Sequence, residues 1–538
     1  MVLLVRIALP CVHPSKAEQQ VASSALQCLA SIFAWVPLEE FVSTELLTPV
    51  FVLAMAGAST VQTTVGGFVA APQAQQQALA ACVFCGRAES PEASDAGAEL
   101  GGEAIACLVE LLSKRFVPRQ FDQFVALSLQ FASVLLSKLL VPLPQQGATL
   151  VAAIDDGFVE KLIEFVRLFV ETHLARLNPL ANDSFLDFLS ILYRFAFSQR
   201  SLSNLCSCLG VFAFVLDFVF GGDQPTPTAA VALTKYKIAF QTIASDVLRK
   251  IEFRTNQAEL ELLDDDSLDD NNRTEWQGVL VECVDLIVKV AERMPAEMLP
   301  QIAKHIGECS STFFALESSL VVSPSASSSS STNTKRLVVT DEAFSNQLHC
   351  ALRDLTSLLQ LLGALVEPVL CNSNESTFIE YAPFSEELLG RVMQIVRFST
   401  VNRLFALSLP SDSEVSREDF VRLHAQAILT LGGFSRWLSL YSARLCDAST
   451  ASASTASNSQ QTPASPQPAA RPGALSPSAA AASANKFHMF INSIVVDCCV
   501  PVISYPQTHS SILISKCFVS WLSDVMVLLL SICLMCRS

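Results

Sequence analysis

The stretch Ala25-Leu-Gln-Cys-Leu-Ala-Ser-Ile-Phe-Ala-Trp-Val-Pro-Leu38 decides the fold, because it ends one helix and starts another within a few residues. Its apolar residues recur at helical spacing as far as Trp35. The proline that follows stops this helix and suits the first turn of the next, where its missing N–H has no helical partner. The pattern predicts one helix from about Ala17 to Trp35 and a second that runs through Ala54.

The same pairing of helices recurs further along the chain. A predicted helix from Leu100 to Phe116 is followed by one from Gln120 to Leu140, and proline junctions stand at Val117-Pro118, at Met294-Pro295 and near Asn178-Pro179. Strand-like alternation is nearly absent, and there are only 19 glycines. Helix pairs in units of about 40–47 residues are typical of HEAT-type repeats. We therefore predict an all-α protein, a HEAT-type helical-repeat solenoid (an α-α superhelix) with disordered insertions.

The apolar composition raises the question of a membrane. The chain is 51% hydrophobic and 16% charged, with a mean hydropathy of +0.41. A spanning helix needs about 20 consecutive apolar residues, whereas the stretch 511–536 is interrupted by Lys516 and Asp524. The N-terminus lacks the basic region of a secretory signal. We predict no membrane span, because stacked helix pairs are covered on two sides and account for the low charge.

The cysteines indicate a reducing compartment and no metal site. There are 17, an odd number, and residues such as Cys28, Cys107 and Cys283 lie within apolar helical patterns, where a free cysteine packs like a small hydrophobe. The pair Cys82 and Cys85 has no second pair beside it, as a structural zinc site requires. We expect free thiols, no metal and no cofactor.

Three stretches of low complexity set the predicted domain boundaries. Residues 1–447 are expected to form HEAT-like repeats, with loop insertions at about 86–98 and 321–335. Residues 448–485 consist mostly of Ser, Ala, Pro, Thr, Gln and Asn, and they predict a disordered insertion because they offer little apolar surface to bury. Residues 486–538 predict a further helical repeat, truncated at its end.

The sequence argues against catalysis and against nucleic acid as a partner. It contains no GxSxG, HExxH or GxxxxGK[ST] motif and no GxGxxG after a strand, so we expect no enzyme. Basic residues number 35 and acidic residues 51, which gives a net charge of 35 − 51 = −16. Phosphate binding needs clustered Lys and Arg, and no basic run exceeds two residues. A basic protein surface is the more plausible partner.

One dense acidic stretch, ELELLDDDSLDD, covers residues 259–270, between a helix predicted to end near Arg254 and one predicted to begin near Thr274. An EF-hand is excluded, because Leu268 falls at its fifth position and Asp269 where glycine is required. Two interpretations stay open. Asp269 to Asn272 and Thr274 cap the next helix and the rest is a solvated loop, or the stretch is a loop that binds a basic partner. The candidate partner-binding residues are Glu259, Glu261, Asp264, Asp265, Asp266, Asp269 and Asp270.

Several of these stretches resemble one family. Residues 25–38 resemble the repeat of nuclear exportins, which belong to the importin-β (karyopherin) superfamily. Residues 254–270, closed by Thr274-Glu-Trp-Gln277, are similar to the acidic loop of the actin-exporting branch of that family, and Phe158–Val170 and Leu348–Gln360 add matches in collinear order. The resemblance covers roughly residues 17–530.

The resemblance implies a transport receptor that binds Ran in its GTP form, carries profilin–actin or other protein cargo, and touches Phe-Gly nucleoporins as it shuttles between nucleus and cytoplasm. The N-terminal module with which the family grips Ran has no counterpart in the sequence, and the chain stops within a helix, so a central part of an exportin is expected. The alternative is a HEAT-repeat scaffold that assembles other proteins without Ran.

Overall fold

The structure is a computed structural model of the 538-residue chain. It describes residues 16–37, 44–57, 91–114, 122–141, 154–177, 179, 183–221, 227–264, 273–322, 335–337, 342–371, 375–404, 407, 415–457, 489 and 492–493. Within these ranges it contains fourteen α-helices and one hairpin of two short strands. The predicted all-α helical-repeat fold is therefore confirmed. The chain divides into two compact units, an N-terminal unit, Met1–Ile243, and a C-terminal unit, Ala244–Ser538.

In the N-terminal unit, helices pack mainly on the helix two positions along the chain. Thus α3 packs on α1 and α5, α5 on α7, and α4 on α6, while α3 also packs on α2, the described helix before it. This places the helices in two stacked rows, as in a helical repeat. The helices are α1 (Lys16–Trp35), α2 (Thr44–Gly57), α3 (Pro91–Leu112), α4 (Asp122–Leu139), α5 (Asp156–Leu177), α6 (Asp183–Ala196) and α7 (Leu202–Phe220), followed by α8 (Pro227–Lys250), which crosses the boundary between the units.

In the C-terminal unit, α12 is the central helix. It packs on α9, α10, α11 and α14, and α11 and α14 both contact α13. The hydroxyl of Thr430 donates a hydrogen bond to the carbonyl oxygen of Leu359, 2.8 Å away, where α14 crosses α12. The helices are α9 (Phe253–Leu263), α10 (Glu275–Arg293), α11 (Pro295–Ala315), α12 (Glu342–Leu365), α13 (Glu375–Asn402) and α14 (Arg417–Ser457), with a 3₁₀ turn at Leu316–Ser319 and a π turn at Val366–Leu370.

Local signals fix several helix ends as predicted. The helix α1 ends at Trp35, one residue before the Val-Pro step. The helix α11 begins at Pro295, directly after the residue that caps α10. Proline is tolerated there because the first N–H groups of a helix have no helical acceptor. The second junction, at Val117-Pro118, lies outside the described residues.

The predicted insertions are in part ordered. The helix α3 starts at Pro91, inside the loop predicted at 86–98, and α14 continues to Ser457, ten residues into the segment predicted as disordered at 448–485. Around the insertion at 321–335, β1 (Leu320–Val322) pairs antiparallel with β2 (Lys335–Leu337). Alanine-rich sequence favours helix wherever it can continue an existing one. The remainder, 458–485, and most of 486–538 lie outside the described residues.

One described helix meets the length and hydropathy of a membrane span, which the sequence analysis did not note. It is α7, whose most apolar window has a mean hydropathy of 1.9 and is 56% buried in the fold. The helix packs on α5 and α6, and Phe212 and Val215 are fully buried. Core helices of water-soluble proteins pass the same test, so its composition carries no further conclusion. The stretch 511–536 lies outside the described residues.

Candidate partner-binding site

The acidic stretch begins on a helix that the sequence analysis missed. The helix α9 (Phe253–Leu263) carries Glu259 and Glu261, so the prediction of one continuous loop after Arg254 is wrong. Glu259 Oε2 lies 2.7 Å from Lys250 Nζ, and Glu261 Oε1 lies 3.3 Å from His349 Nε2. Their side chains are 39% and 45% exposed. These two carboxylates therefore remain accessible from solvent, although Glu259 has a lysine nearby and Glu261 a histidine.

Asp264 differs from these two residues, because its carboxylate is buried and forms salt bridges within the fold. Its side chain is only 5% exposed, and its Oδ2 forms salt bridges with Arg353 on α12 and with Arg422 Nη1 on α14, the latter at 2.9 Å. The Thr274 hydroxyl donates to Oδ1 of the same carboxylate at 2.8 Å. A buried carboxylate is stable only when it is paired and hydrogen-bonded in this way. Asp264 thus ties the end of α9 to α10, α12 and α14.

A second buried acid, Asp419, extends this cluster. Its Oδ2 lies 3.2 Å from His349 Nδ1 and accepts the backbone N–H of Ser416 at 2.9 Å, and its Oδ1 lies 3.6 Å from Arg353 Nη1. Burial opposes ionisation of Asp419, but the hydrogen bonds with His349 and Ser416 outweigh it and lower its pKa. The contact with Asp419 in turn raises the pKa of His349. We call Asp264, Asp419, Arg353, Arg422 and His349 the Asp264 cluster.

The capping interpretation is confirmed at one residue. Thr274 is the N-cap of α10, since its hydroxyl accepts the N–H of Gln277 while the Gln277 side chain accepts the N–H of Thr274. This reciprocal arrangement is a capping box. Asp265, Asp266, Asp269 and Asp270 lie outside the described residues. A role in partner binding for these four, and for Glu259 and Glu261, stays a prediction.

A further polar cluster lies where α9 meets α11 and α12. Arg254 donates from Nη2 and Nε to the Glu252 carboxylate at 2.9 and 3.0 Å, and from Nη1 to Glu308 at 2.8 Å. His305 contacts the same Glu252. Burial alone would raise the pKa of Glu252, but the hydrogen bonds with His305 and Arg254 outweigh it and lower that pKa. Arg254 lies 51 residues before His305 and 54 before Glu308, with the acidic stretch between them, so no local motif could reveal this cluster.

The described residues offer little for metal or thiol chemistry. Among them, no group of three His, Cys, Asp or Glu side chains is placed to hold a metal ion. Of the cysteines singled out in the sequence, Cys107 and Cys283 are buried in helices, whereas Cys28 is exposed, so the prediction that it packs in a core is wrong. Burial raises the pKa of Cys107 to about 12. Cys82 and Cys85 lie outside the described residues.

Comparison with known proteins identifies relatives with one name. No family model matches the chain. Over 428 residues it is 29% identical to exportin-6-A of Xenopus laevis, which aligns 79% of this chain with 36% of that protein. Mouse exportin-6 is 29% identical over 434 residues, covering 79% of this chain and 35% of that protein.

Two further matches have lower sequence identity. Exportin-6 of Dictyostelium discoideum is 21% identical over 342 residues, which covers 63% of this chain and 29% of that protein. A solved circular tandem repeat protein aligns with 98% of this chain and 96% of its own at a TM-score of 0.23 and 11% identity, too low a score to bear on the fold. The Xenopus and mouse proteins confirm the predicted resemblance to exportins. The chain is thus exportin-6-like in sequence, and it spans about a third of the length of the curated relatives it matches.

Proposed function

We propose that the protein acts as a nuclear export receptor, which carries protein cargo out of the nucleus in a Ran-GTP-dependent manner, with profilin–actin complexes as cargo. The observation that carries the proposal is the 29% identity with exportin-6 proteins along 79% of this chain. The helical-repeat packing within each unit supports it, since such folds bind proteins along extended surfaces. The proposal includes no catalytic step.

The proposed mechanism uses binding alone. In stacked repeats each helix pair contacts mainly its neighbours, so small rotations add up to a change of curvature. When Ran-GTP and cargo favour the same curvature, each raises the affinity for the other by the same factor. Hydrolysis of GTP in the cytoplasm then weakens both contacts. Contacts with Phe-Gly nucleoporins allow the receptor to cross the pore, so it shuttles between nucleus and cytoplasm.

The acidic stretch supports a basic partner surface. Asp264 is buried and paired with Arg353 and Arg422. Among the described acids of the acidic stretch, Glu259 and Glu261 are therefore the ones exposed to a partner. Together with the net charge of −16, they raise the rate of encounter with a positively charged protein. They add little to affinity, because exposed ion pairs contribute about 0–1 kcal/mol.

The proposal is tested by affinity capture from nuclear extract with the tagged full-length gene product that contains this chain. One arm contains Ran loaded with a non-hydrolysable GTP analogue, and the other contains Ran-GDP. We expect Ran and profilin–actin to be recovered together in the GTP arm only. Recovery of neither contradicts the proposal. Equal recovery of protein partners in both arms favours the alternative, a HEAT-repeat scaffold that does not use Ran.

The role of the acidic residues has its own measurement. The double variant Glu259→Gln, Glu261→Gln should slow association with the recovered partner about two- to tenfold at low ionic strength, and the difference should shrink with salt. The matched control is Glu171→Gln with Glu387→Gln, which removes the same charge from two carboxylates on α5 and α13, each paired with an arginine four residues away on its own helix. Equal rates for the two double variants would leave the acidic stretch without a steering role.

A further inference from the structure

A polar cavity of about 600 Å³ lies between α9, α11 and α12 in the C-terminal unit. Its size falls within the range of about 300–1,000 Å³ that is typical of ligand sites. Six of its lining residues carry charges or side-chain amides: Arg254, Gln257, Glu308, Asn346, Gln347 and Asp354. Nothing in the export proposal uses this cavity.

The floor of the cavity has an excess of negative charge. Asp354 on α12 is 1% exposed, and its carboxylate accepts the backbone N–H groups of Phe253 and Arg254 at 2.5 and 3.4 Å. Within the described ranges, no side chain forms a salt bridge with it. The nearby cation, Arg254, is already paired with both Glu252 and Glu308. Glu308 also pairs with Lys304 at 3.8 Å and Glu252 contacts His305, so Asp354 is the one carboxylate of these three without a salt bridge among the described residues.

Burial without a counter-charge is costly for Asp354. It raises the pKa of this carboxyl to about 7, despite the two backbone hydrogen bonds, which lower it. The other titratable groups around it are Glu252 and Arg254 at the start of α9 and Glu308 and Cys309 on α11. A ligand that brings a positive charge next to Asp354 would supply the missing partner.

The side of the cavity formed by α12 extends from solvent to the Asp354 carboxylate. Gln347, Cys350 and Asp354 follow one another at spacings of three and four residues, so they lie on one helix face. Gln347 is exposed, Asn346 beside it is partly exposed, and Asp354 is buried. Amide side chains present both a donor and an acceptor, which match the N–H and C=O groups of an extended polypeptide.

Other chemistry fits this cavity less well. Burial raises the pKa of Cys309 to about 12, so its thiol is not a nucleophile near neutral pH. Among the described residues no cluster suits a metal ion. An anion would meet the carboxylates of Glu308 and Asp354.

We propose that this cavity binds the lysine or arginine side chain of a partner polypeptide, with the cation next to Asp354 and the peptide backbone against the amides of Asn346 and Gln347. The inference goes beyond export, because it concerns one side-chain pocket and holds for any polypeptide partner. It places the recognised residue deep between three helices, where neither charge alone nor apolar burial alone would select it.

The test uses two acetylated and amidated peptides, Gly-Ser-Lys-Ser-Gly and the same peptide with norleucine in place of lysine. Their binding to the full chain is measured by ligand-observed NMR titration. We expect the lysine peptide to bind and the norleucine peptide to bind at least tenfold more weakly. Equal binding of the two peptides overturns the proposal. Spermidine is titrated in parallel, and binding of spermidine as tight as that of the lysine peptide overturns the assignment to a polypeptide.

Variants locate the binding. Asp354→Asn keeps an oxygen for the N–H of Phe253 but removes the charge, and it should weaken binding of the lysine peptide at least tenfold. Because Asp354 is buried, the more exposed double variant Asn346→Leu, Gln347→Leu provides a second measurement, with an expected loss of at least threefold. Glu387→Gln, which removes a charge on α13 outside the cavity, should leave binding unchanged. Binding that survives both cavity variants overturns the proposal.

Discussion

The two units of the chain are both built from packed helices, but they hold those helices together with different contacts. In the N-terminal unit the rings of Phe51, Phe131, Phe165 and Phe169 follow one another at 4.6, 5.6 and 6.4 Å through α2, α4 and α5. In two of its salt bridges the acids, Asp122 and Asp183, are 65% and 94% exposed, whereas Glu103, which pairs with Lys161, is 19% exposed. In the C-terminal unit, the acids of the central salt bridges, Asp264, Asp419 and Glu252, are at most 5% exposed.

This difference shows that one architecture admits two kinds of stabilisation. Aromatic burial has no direction and tolerates small shifts between helices. Buried ion pairs hold helices at fixed distances, because a displaced partner leaves a charge uncompensated. We therefore expect the N-terminal unit to respond mainly to changes of volume and the C-terminal unit to changes of charge and pH.

The largest effect is expected from Phe165→Ala in the N-terminal unit. Phe165 is fully buried against Phe131 and Phe169, and removing such a ring costs about 3–5 kcal/mol. Hydrogen exchange followed by mass spectrometry should show protection lost in α4 to α6 and kept in α12 and α14. Phe165→Leu, which keeps most of the volume, should cost less than about 1.5 kcal/mol. Equal effects of the two variants would contradict the expectation that the N-terminal unit responds mainly to changes of volume.

Asp264→Asn is the matching change in the C-terminal unit. It keeps the shape of the side chain but leaves Arg353 and Arg422 without their shared carboxylate. Breaking a buried pair costs about 3 kcal/mol, and protection should fall in α12 and α14 while α4 to α6 are unaffected. The control Glu387→Gln removes an exposed partner and should change stability by less than about 0.5 kcal/mol. Unchanged protection in Asp264→Asn would show that the cluster does not hold these helices.

The stability of the C-terminal unit should depend on pH through Asp354. Its pKa is raised from 3.8 to about 7 in the folded chain, so folding favours its protonated form. Its contribution to stability is complete below about pH 4 and is lost as the pH rises through 7. Asp354→Asn lacks this loss, so its stability relative to the natural chain should rise between pH 5 and pH 8. Urea unfolding at both pH values measures it, and a relative fall would contradict the assignment.

The smallest effect concerns the cap of α10. Thr274→Ala removes both the capping hydroxyl and the hydrogen bond to Asp264, and loss of an N-cap costs about 1 kcal/mol. Amides in the first turn of α10 should exchange faster, and Thr274→Ser should restore them. If the serine variant behaves like alanine, the hydroxyl is not what stabilises this turn.

Local sequence was enough to predict the helices and some of their ends. The apolar spacing before Trp35 and the proline at 295 act within a few residues, and both helix ends were predicted correctly. The same holds for Thr274, whose capping partner Gln277 is three residues away. These interactions join residues within one short segment, so the sequence of that segment is enough to predict them.

The helix α9 and the two clusters could not be predicted because their causes are distant in sequence. The N-terminus of α9 is capped by Asp354, 101 residues away. Asn256, whose φ of −132° departs from helical values, turns its amide toward the carbonyl oxygens of Arg249 and Lys250. From sequence alone, the acidic stretch is expected to be solvated. The fold brings Arg353 and Arg422, which are distant in sequence, into contact with Asp264.

The spacing of the residues that meet Asp264 also sets an order of events during synthesis. Arg353 follows it by 89 residues and Arg422 by 158. At about 5–20 residues per second, the ribosome adds the second arginine about 8–30 s after Asp264. Until then Asp264 on the nascent chain lacks Arg422, so the C-terminal unit completes the charge pairing of this carboxylate only after α14 has been synthesised.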